Sequence, residues 1–596
     1  MANQLIRLDH KHISVVQLQM GEDRILETYI NNLSEGAPNA IYGHLQDVGF
    51  LYVARMLGGT KLDPTLISAL VERWRPETHT FHLPCGECTI TLEDVSLQLG
   101  LPVDGEVVTG PVLSVDWSAT CEQLLGKVPN KFKGSRIEMK WLEDNFKTIE
   151  ASASDVEKEQ FARAFILKLI GGLLMPDKSR NLVHLRWLLL LANLKEAGRL
   201  SWGSAVLATL YREMCRATQP EKAKIGGCML LLQSWAWYRL PFLRPRVDLP
   251  YEFPLVIWWN NPARHSGIPT ELEDIRLALD QQTEEEFVWM PYANPRIQEC
   301  IPVKFLANRN IWHVKVPLIV FATVEMHESN RVMRQFGCMQ RIPSSPQKLD
   351  DLHNIDLRGR LEEDWSSFHQ KYIEIWQRRY DYLPTREPFL TPELATSPDY
   401  MDWFRHKGKP YLLSALERSR QRRRRRQRRG PINPRSGEHV AGRSTSAPAP
   451  HGEPIVMQPP GAYFVQPPPT IPYYVPMLPA TPMYPVSSTT LTFYPQSAYA
   501  TPYNYPLIVP QTPPTTFFYR GGSSSQPPTH IKRDVRCATR TQRQSSTKEG
   551  DEIGHQHGRA REDEDEDDEE SPTQTVRQNP RRARHLPNCD THSGHR

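Results

Sequence analysis

DVEKEQFARAFILKLIGGLLM, residues 155–175, decides the fold class. Phe161, Phe165, Leu169, Leu173 and Leu174 recur about once per helical turn, which places them on one face of a helix. The neighbouring segments extend the pattern. LVHLRWLLLLANL (182–194) is apolar nearly all round and predicts a helix buried on most sides. SWGSAVLATLYREMCRA (201–217) and GGCMLLLQSWAWYRL (226–240) predict two more. In DLRGRLEEDWSSFHQKYIEIWQRRYDYL (356–383), Leu361, Trp365, Phe368, Tyr372 and Ile375 step by four, three, four and three. Aromatics at that spacing form a packing face. Prolines 241, 245, 250, 254, 262 and 269 interrupt the helical run and predict an extended stretch between two helical lobes. Residues 1–416 therefore read as a mainly α, multi-helix globular body with short β-hairpin elements.

The chain has 596 residues, and its charge is unevenly spread. Residues 1–416 carry 47 Lys and Arg against 51 Asp and Glu, whereas residues 417–596 carry 25 against 17. A near-neutral body with a basic extension predicts a folded unit plus an arm for an acidic partner. The nine cysteines are scattered, and MANQLIRLDHKH has no apolar core of signal-peptide length, so reduced, intracellular thiols are expected. No apolar run reaches the roughly 18 residues that a membrane helix needs, so no membrane partner is expected.

Beyond about residue 430 the composition changes. Residues 451–530 hold 19 prolines interleaved with tyrosine and phenylalanine, which predicts disorder with polyproline II character. Two charge blocks frame this stretch. RSRQRRRRRQRR (418–429) contributes Arg418, Arg420, Arg422, Arg423, Arg424, Arg425, Arg426, Arg428 and Arg429, and EDEDEDDEE (562–570) is unbroken acid. The arginine block reads as a nuclear import signal, and also as a basic helix continuing YLLSALERS that binds nucleic acid without reading its sequence. The acidic run can compete for the same arginines.

THTFHLPCGEC (78–88) contains the strongest candidate metal ligands: His79, His82, Cys85 and Cys88. Their uniform three-residue spacing does not suit zinc, which takes ligand pairs separated by a longer loop. Pro84 excludes a helix interior, and in a strand threefold spacing sends alternate ligands to opposite faces. HTFHL and CTIT read instead as two short strands joined at Pro84, Gly86 and Glu87, with the cysteines as small fillers. Thr91 then caps a helix with Asp94 in a T-x-x-D box, and Gly100 ends it. HESNR (327–331) begins like the zinc-protease H-E-x-x-H, but Arg331 stands in place of the second histidine. There is no G-x-S-x-G, G-x-x-x-x-G-K-[ST] or G-x-G-x-x-G. Isolated histidines such as His184 and His313 read as structural. No catalytic residue and no cofactor is expected.

A resemblance adds to this reading. GHLQDVGFLYVARM, FHLPCGECTITLEDVSLQLGLPVDGEVVTG, GGLLMPDKSRNLVHLRWLLLL, GRLSWGSAVLATLYREMCRAT, IGGCMLLLQSWAWYRLPFLRP, VKVPLIVFATVEMHESNRVMRQFG and DLHNIDLRGRLEEDWSSFHQKYIEIWQRR occur in that order. Together they resemble the plant mobile domain, the "aminotransferase-like" family related to MAINTENANCE OF MERISTEMS. The expected divisions are a lead-in at 1–42, the domain at 43–405, a basic segment at 406–430 and a disordered tail at 431–596. The resemblance implies a non-enzymatic plant nuclear protein, related to transposons, with roles in meristem maintenance, genome stability and silencing, and with nuclear protein partners. Its alternative is an accessory or transposase-like protein of a transposable element. The label "aminotransferase-like" is not matched by a strand–helix alternation that would seat pyridoxal phosphate. Some relatives are fused to a Ser/Thr phosphatase, but GDxHG, GDxxDRG and GNHE are missing from this chain.

Overall fold

The computed structural model describes residues 12–428, except 21, 32–35, 57–60, 111–113, 115, 354 and 356–362. The proline-rich segment and the acidic run 562–570 lie outside the described residues. Most described elements are helices, joined by seven short strands in three antiparallel sheets. The first sheet is β1 (Trp74–Arg75), β2 (Thr80–Leu83) and β3 (Gly86–Cys88), with Phe81 opposite both Trp74 and Cys88. The second pairs β4 (Arg136–Glu138) with β5 (Leu182–His184), and the third pairs β6 (Val316–Val320) with β7 (Thr323–His327). No described helix is long and apolar enough to cross a membrane.

The opening stretch behaves as its periodicity dictates. Ser154 and Glu157 form a capping box, and the helix Asp155–Leu169 continues as one π-helical turn, Ile170–Leu174. Phe161, Phe165, Leu169, Leu173 and Leu174 are all buried. Gly171 sits where β5 crosses, since an added Cβ would lie 2.8 Å from Val183. The helices Trp202–Ala217 and Met229–Arg239 run through the interior, and the β6–β7 hairpin packs on the first of them. Thr91 and Asp94 form the expected capping box on Leu92–Leu99. Gly100 ends that helix at φ 66°, and an added Cβ would fall 2.6 Å from Tyr52 Cβ.

Four local expectations are corrected. LVHLRWLLLLANL is not one helix. Val183 is drawn into β5 opposite Ile137, and a short helix, Arg186–Leu190, follows. The Asn193 side chain then accepts from the amides of Lys195 and Glu196, which ends one element and starts Leu194–Ala197. The aromatic stripe is also broken. Asp364 caps Trp365–Phe368, a second helix runs Gln370–Gln377, and the phase slips at His369. Trp365, Tyr372, Ile373 and Trp376 are therefore buried, while Phe368 is 41 % exposed. Leu361 lies outside the described residues. The stretch carrying prolines 241–269 does not separate two lobes: Phe253, Leu255, Val256, Trp258 and Trp259 join the same core as the helices before and after it. The hairpin, finally, is displaced: its second strand is Gly86–Cys88 and not CTIT, so Gly86 and Glu87 pair with Leu83 and His82 instead of forming the turn, which is Pro84–Cys85, and β1 adds a third strand. The chain before residue 42 contributes as well, with Ile13 and Leu26 fully buried and the Ile13 amide on Thr218 O at 2.7 Å.

Candidate functional site

Between Thr78 and Thr91 every residue except Pro84 is buried, although seven of them are Thr, His or Glu. Polar groups tolerate such burial only when partnered, and charges only when paired. The hairpin meets that demand by collecting counter-groups from the whole domain. Glu87 accepts from Arg331 Nη1 at 3.0 Å and from Thr80 Oγ1 at 3.0 Å. Burial alone would raise the Glu87 carboxyl; Arg331, then His82, outweigh it and hold the group below its ordinary value. Arg334 donates to Cys85 O at 2.8 Å, and Gln335 exchanges two bonds with the Thr89 backbone. Asp94 accepts from Arg239 at 2.9 Å and Tyr292 at 2.7 Å. Arg73, directly before β1, pairs with Asp280.

The four His/Cys residues diverge inside this hub. His82 lies 3.6 Å from Glu87, and its Nδ1 accepts from the Lys409 amide at 3.1 Å. Burial pushes the His82 imidazole down to about 4 against the raising effect of Glu87. Burial also pushes the Cys85 thiol up to about 12 and the Cys88 thiol well above its ordinary value. Cys85 sits beside Gln282, and Cys88 donates weakly to Phe81 O. Only His79 turns the other way. Its Nε2 meets Glu325 Oε2, from β7, at 2.6 Å.

That contact opens a second cluster. Glu325 Oε2 also meets His353 Nε2 at 3.0 Å, and Oε1 lies 2.6 Å from Arg212 Nε. Cys215 is one turn along the same helix as Arg212, and its Sγ accepts from Trp74 Nε1 at 3.3 Å. Ligand atoms of His79, Cys215 and Glu325 all lie within 4.8 Å of one another. Burial would raise the Glu325 carboxyl, but Arg212 and the hydrogen bonds from His353 and His79 hold it well below the usual range. Nothing in the sequence pairs positions 79, 215 and 325, which lie more than a hundred residues apart. The HESNR segment also resolves here: Arg331 is the counter-ion of Glu87, and His327 Nδ1 meets Val314 O at 2.8 Å. His184 and His313 occupy structural positions, on the Arg186 amide and on Arg386 respectively.

The arginine block forms the helix Ala415–Arg428. It leaves the body at a fixed point, because the buried Leu412 and Leu413 present their amides to Asp280 at 3.1 and 2.8 Å. Arg418 belongs to that anchor, 4.0 Å above the Tyr411 ring and 4.0 Å from Asp280. Arg420, Arg422 and Arg423 are exposed. The side chains of Arg424, Arg425, Arg426 and Arg428, and all of Arg429, lie outside the described residues.

Comparison with known proteins places the domain. The family model "Plant mobile domain" matches residues 50–405. The chain belongs to the plant mobile domain family. Three Arabidopsis thaliana relatives illustrate the match. Serine/threonine-protein phosphatase 7 long form homolog is 42% identical over 370 residues, which cover 60% of this chain and 27% of that protein. Protein MAINTENANCE OF MERISTEMS is 36% identical, covering 54% of this chain and 68% of its own length. Protein MAIN-LIKE 2 is 34% identical, covering 62% and 55%. The chain thus spans only about a quarter of the phosphatase-named relative. No solved structure matches it. The matched span contains the hairpin and its side-chain counter-groups, while the Lys409 amide that meets His82 and the arginine helix lie after it.

Proposed function

We propose that this plant mobile domain chain is a nuclear protein without catalytic activity of its own. Its folded domain presents a rigid platform to nuclear protein partners, and its arginine helix serves import and sequence-indifferent contact with nucleic acid. The observation that carries this reading is the anchored helix, with Arg420, Arg422 and Arg423 exposed beyond a buried Asp280 clamp. The name of the MAINTENANCE OF MERISTEMS relative supports a role in meristem maintenance, and the family resemblance supports roles in genome stability and silencing of transposons or genes. The phosphatase-named relative does not carry its chemistry over, because the paired-metal motifs are missing from this chain and the match covers 27% of that protein.

The test is a salt titration of fluorescent duplex DNA against the full chain. Four to six phosphate contacts give a slope of log affinity against log salt of about −4 to −5. Replacing the nine arginines of 418–429 by alanine should flatten the slope and leave a fluorescent fusion mainly cytoplasmic. Deleting 562–570 should strengthen binding without changing sequence preference. Strong preference for one duplex, kept by the arginine-free variant, would assign nucleic-acid recognition to the folded domain instead.

A further inference from the structure

We propose that His79, Cys215 and Glu325 hold a zinc-class divalent cation, with His353 Nε2 completing a four-ligand shell. The donors are two imidazole nitrogens, one sulfur and one carboxylate oxygen, the mixed set that a borderline-soft ion prefers. They come from the turn before β2, the helix Trp202–Ala217, β7 and the short helix Asp350–His353. Ligands at zinc distances lie roughly 3.3–3.8 Å apart in a tetrahedron. The atoms of His79, Cys215 and Glu325 are all within 4.8 Å of one another, so these three need only small shifts to meet one ion. His353 Nε2, which meets Glu325 Oε2 at 3.0 Å but is not part of that mutual group, must swing further in to become the fourth ligand.

Three independent observations support a built site. First, two of the four ligands, Cys215 and Glu325, have outer partners of the kind that orient metal ligands. Trp74 Nε1 donates to Cys215 Sγ, and Arg212 occupies Glu325 Oε1, which leaves Oε2 facing both imidazoles. Secondly, His79 holds a left-handed backbone at φ 51°, costly for a residue with a side chain, and its ring is pinned against Tyr211 at 5.5 Å. That conformation is what aims His79 away from His82 and towards Glu325. Thirdly, the His353 side chain is 22 % exposed, which gives an otherwise buried cluster one side open to solvent.

On loading, each imidazole binds through an unprotonated Nε2. Cys215 binds as thiolate, its proton released to solvent, so occupancy rises with pH. The ion would tie together parts of the chain more than a hundred residues apart and would fix the hub without taking part in catalysis.

The experiment uses the full chain purified without chelator. Elemental analysis should find one zinc per chain that Cys215→Ser removes and that the double variant Cys85→Ser with Cys88→Ser retains. The tail also carries His585, Cys589, His592 and His595, so the quantity read is the difference between wild type and Cys215→Ser. Cobalt substitution should give a thiolate charge-transfer band that is absent from Cys215→Ser. Because that variant can lose its fold, His353→Gln at the partly exposed ligand is the second probe. It should keep the native circular dichroism and weaken zinc at least tenfold in chelator competition. Equal zinc in wild type and Cys215→Ser, no cobalt–thiolate band in wild type, or unchanged affinity in a folded His353→Gln would each overturn the proposal. The cluster would then be a hydrogen-bonded ion pair alone.

Discussion

The hairpin hub and the arginine helix use the same charged side chains to opposite ends. In the hub, Arg331 and Glu87 are 0% and 1% exposed, and each is the other's counter-charge. On the helix, Arg420, Arg422 and Arg423 stand in water, and the nearest acid to Arg420 is Glu417 at 3.9 Å, on the same helix. A charge taken out of water must be matched or it destabilises by several kcal/mol, whereas an exposed charge contributes little to folding and remains free to meet a partner. The hub's charge is therefore structural, and the charge of Arg420, Arg422 and Arg423 faces solvent.

The largest effect should come from breaking a buried pair. Arg331→Ala leaves Glu87 buried and uncompensated, and should cost about 3–5 kcal/mol in denaturant unfolding. Replacing both members, as Glu87→Leu with Arg331→Met, should recover most of that loss. If the double variant is as unstable as the single, Arg331 matters for its packing and not for its charge.

Acid should act on the hub next. His82 and His327 are fully buried, and burial pushes each imidazole down to about 4. Their folded-state values lie below the ordinary 6.5, so the unfolded chain binds protons first and stability falls as pH drops from 6.5 towards 4. At pH 5 each histidine should cost about 2 kcal/mol, at 1.36 kcal/mol per pH unit. Unfolding curves at pH 7 and pH 5 measure the sum, and His82→Gln should remove its share of the difference. An unchanged difference would assign the acid sensitivity to other buried groups.

The smallest effect should come from the helix. Arg420→Ala, Arg422→Ala and Arg423→Ala together should shift unfolding by less than about 0.5 kcal/mol, in line with exposed charges. The same triple variant should flatten the salt slope of DNA binding by about 2 to 3, at 0.9 per lost phosphate contact. A loss of stability comparable to that of Arg331→Ala would erase the contrast between the two regions.

Much of the architecture is legible in local sequence, and the failures are informative. The helix at 155 follows from Phe161, Phe165 and Leu169 recurring once per turn, and its start from Ser154 and Glu157. The Thr91–Asp94 box and the Gly100 stop are equally local. LVHLRWLLLLANL fails because apolar residues do not say which element they join: the partner of Val183 is Ile137, forty-six residues away. The stripe at 361–375 fails because Asp364 and His369 change the helical phase within it.

The hub shows the same division more sharply. The residues of THTFHLPCGEC determine a tight hairpin, because Pro84 and Gly86 permit a turn and the flanking residues favour strands. They also announce that His79, His82, Cys85 and Cys88 lie close together along the chain. What each of them meets was decided by tertiary structure. His79 reaches Glu325 through a left-handed backbone turn, His82 reaches Glu87 and Lys409, and the two cysteines are buried beside Gln282 and Phe81 O. Helical and turn signals survive in sequence because they act over three or four residues. Arg212, Cys215, Glu325 and His353 carry no such signal, since ion pairing and ligand geometry depend on distances that only the folded chain sets.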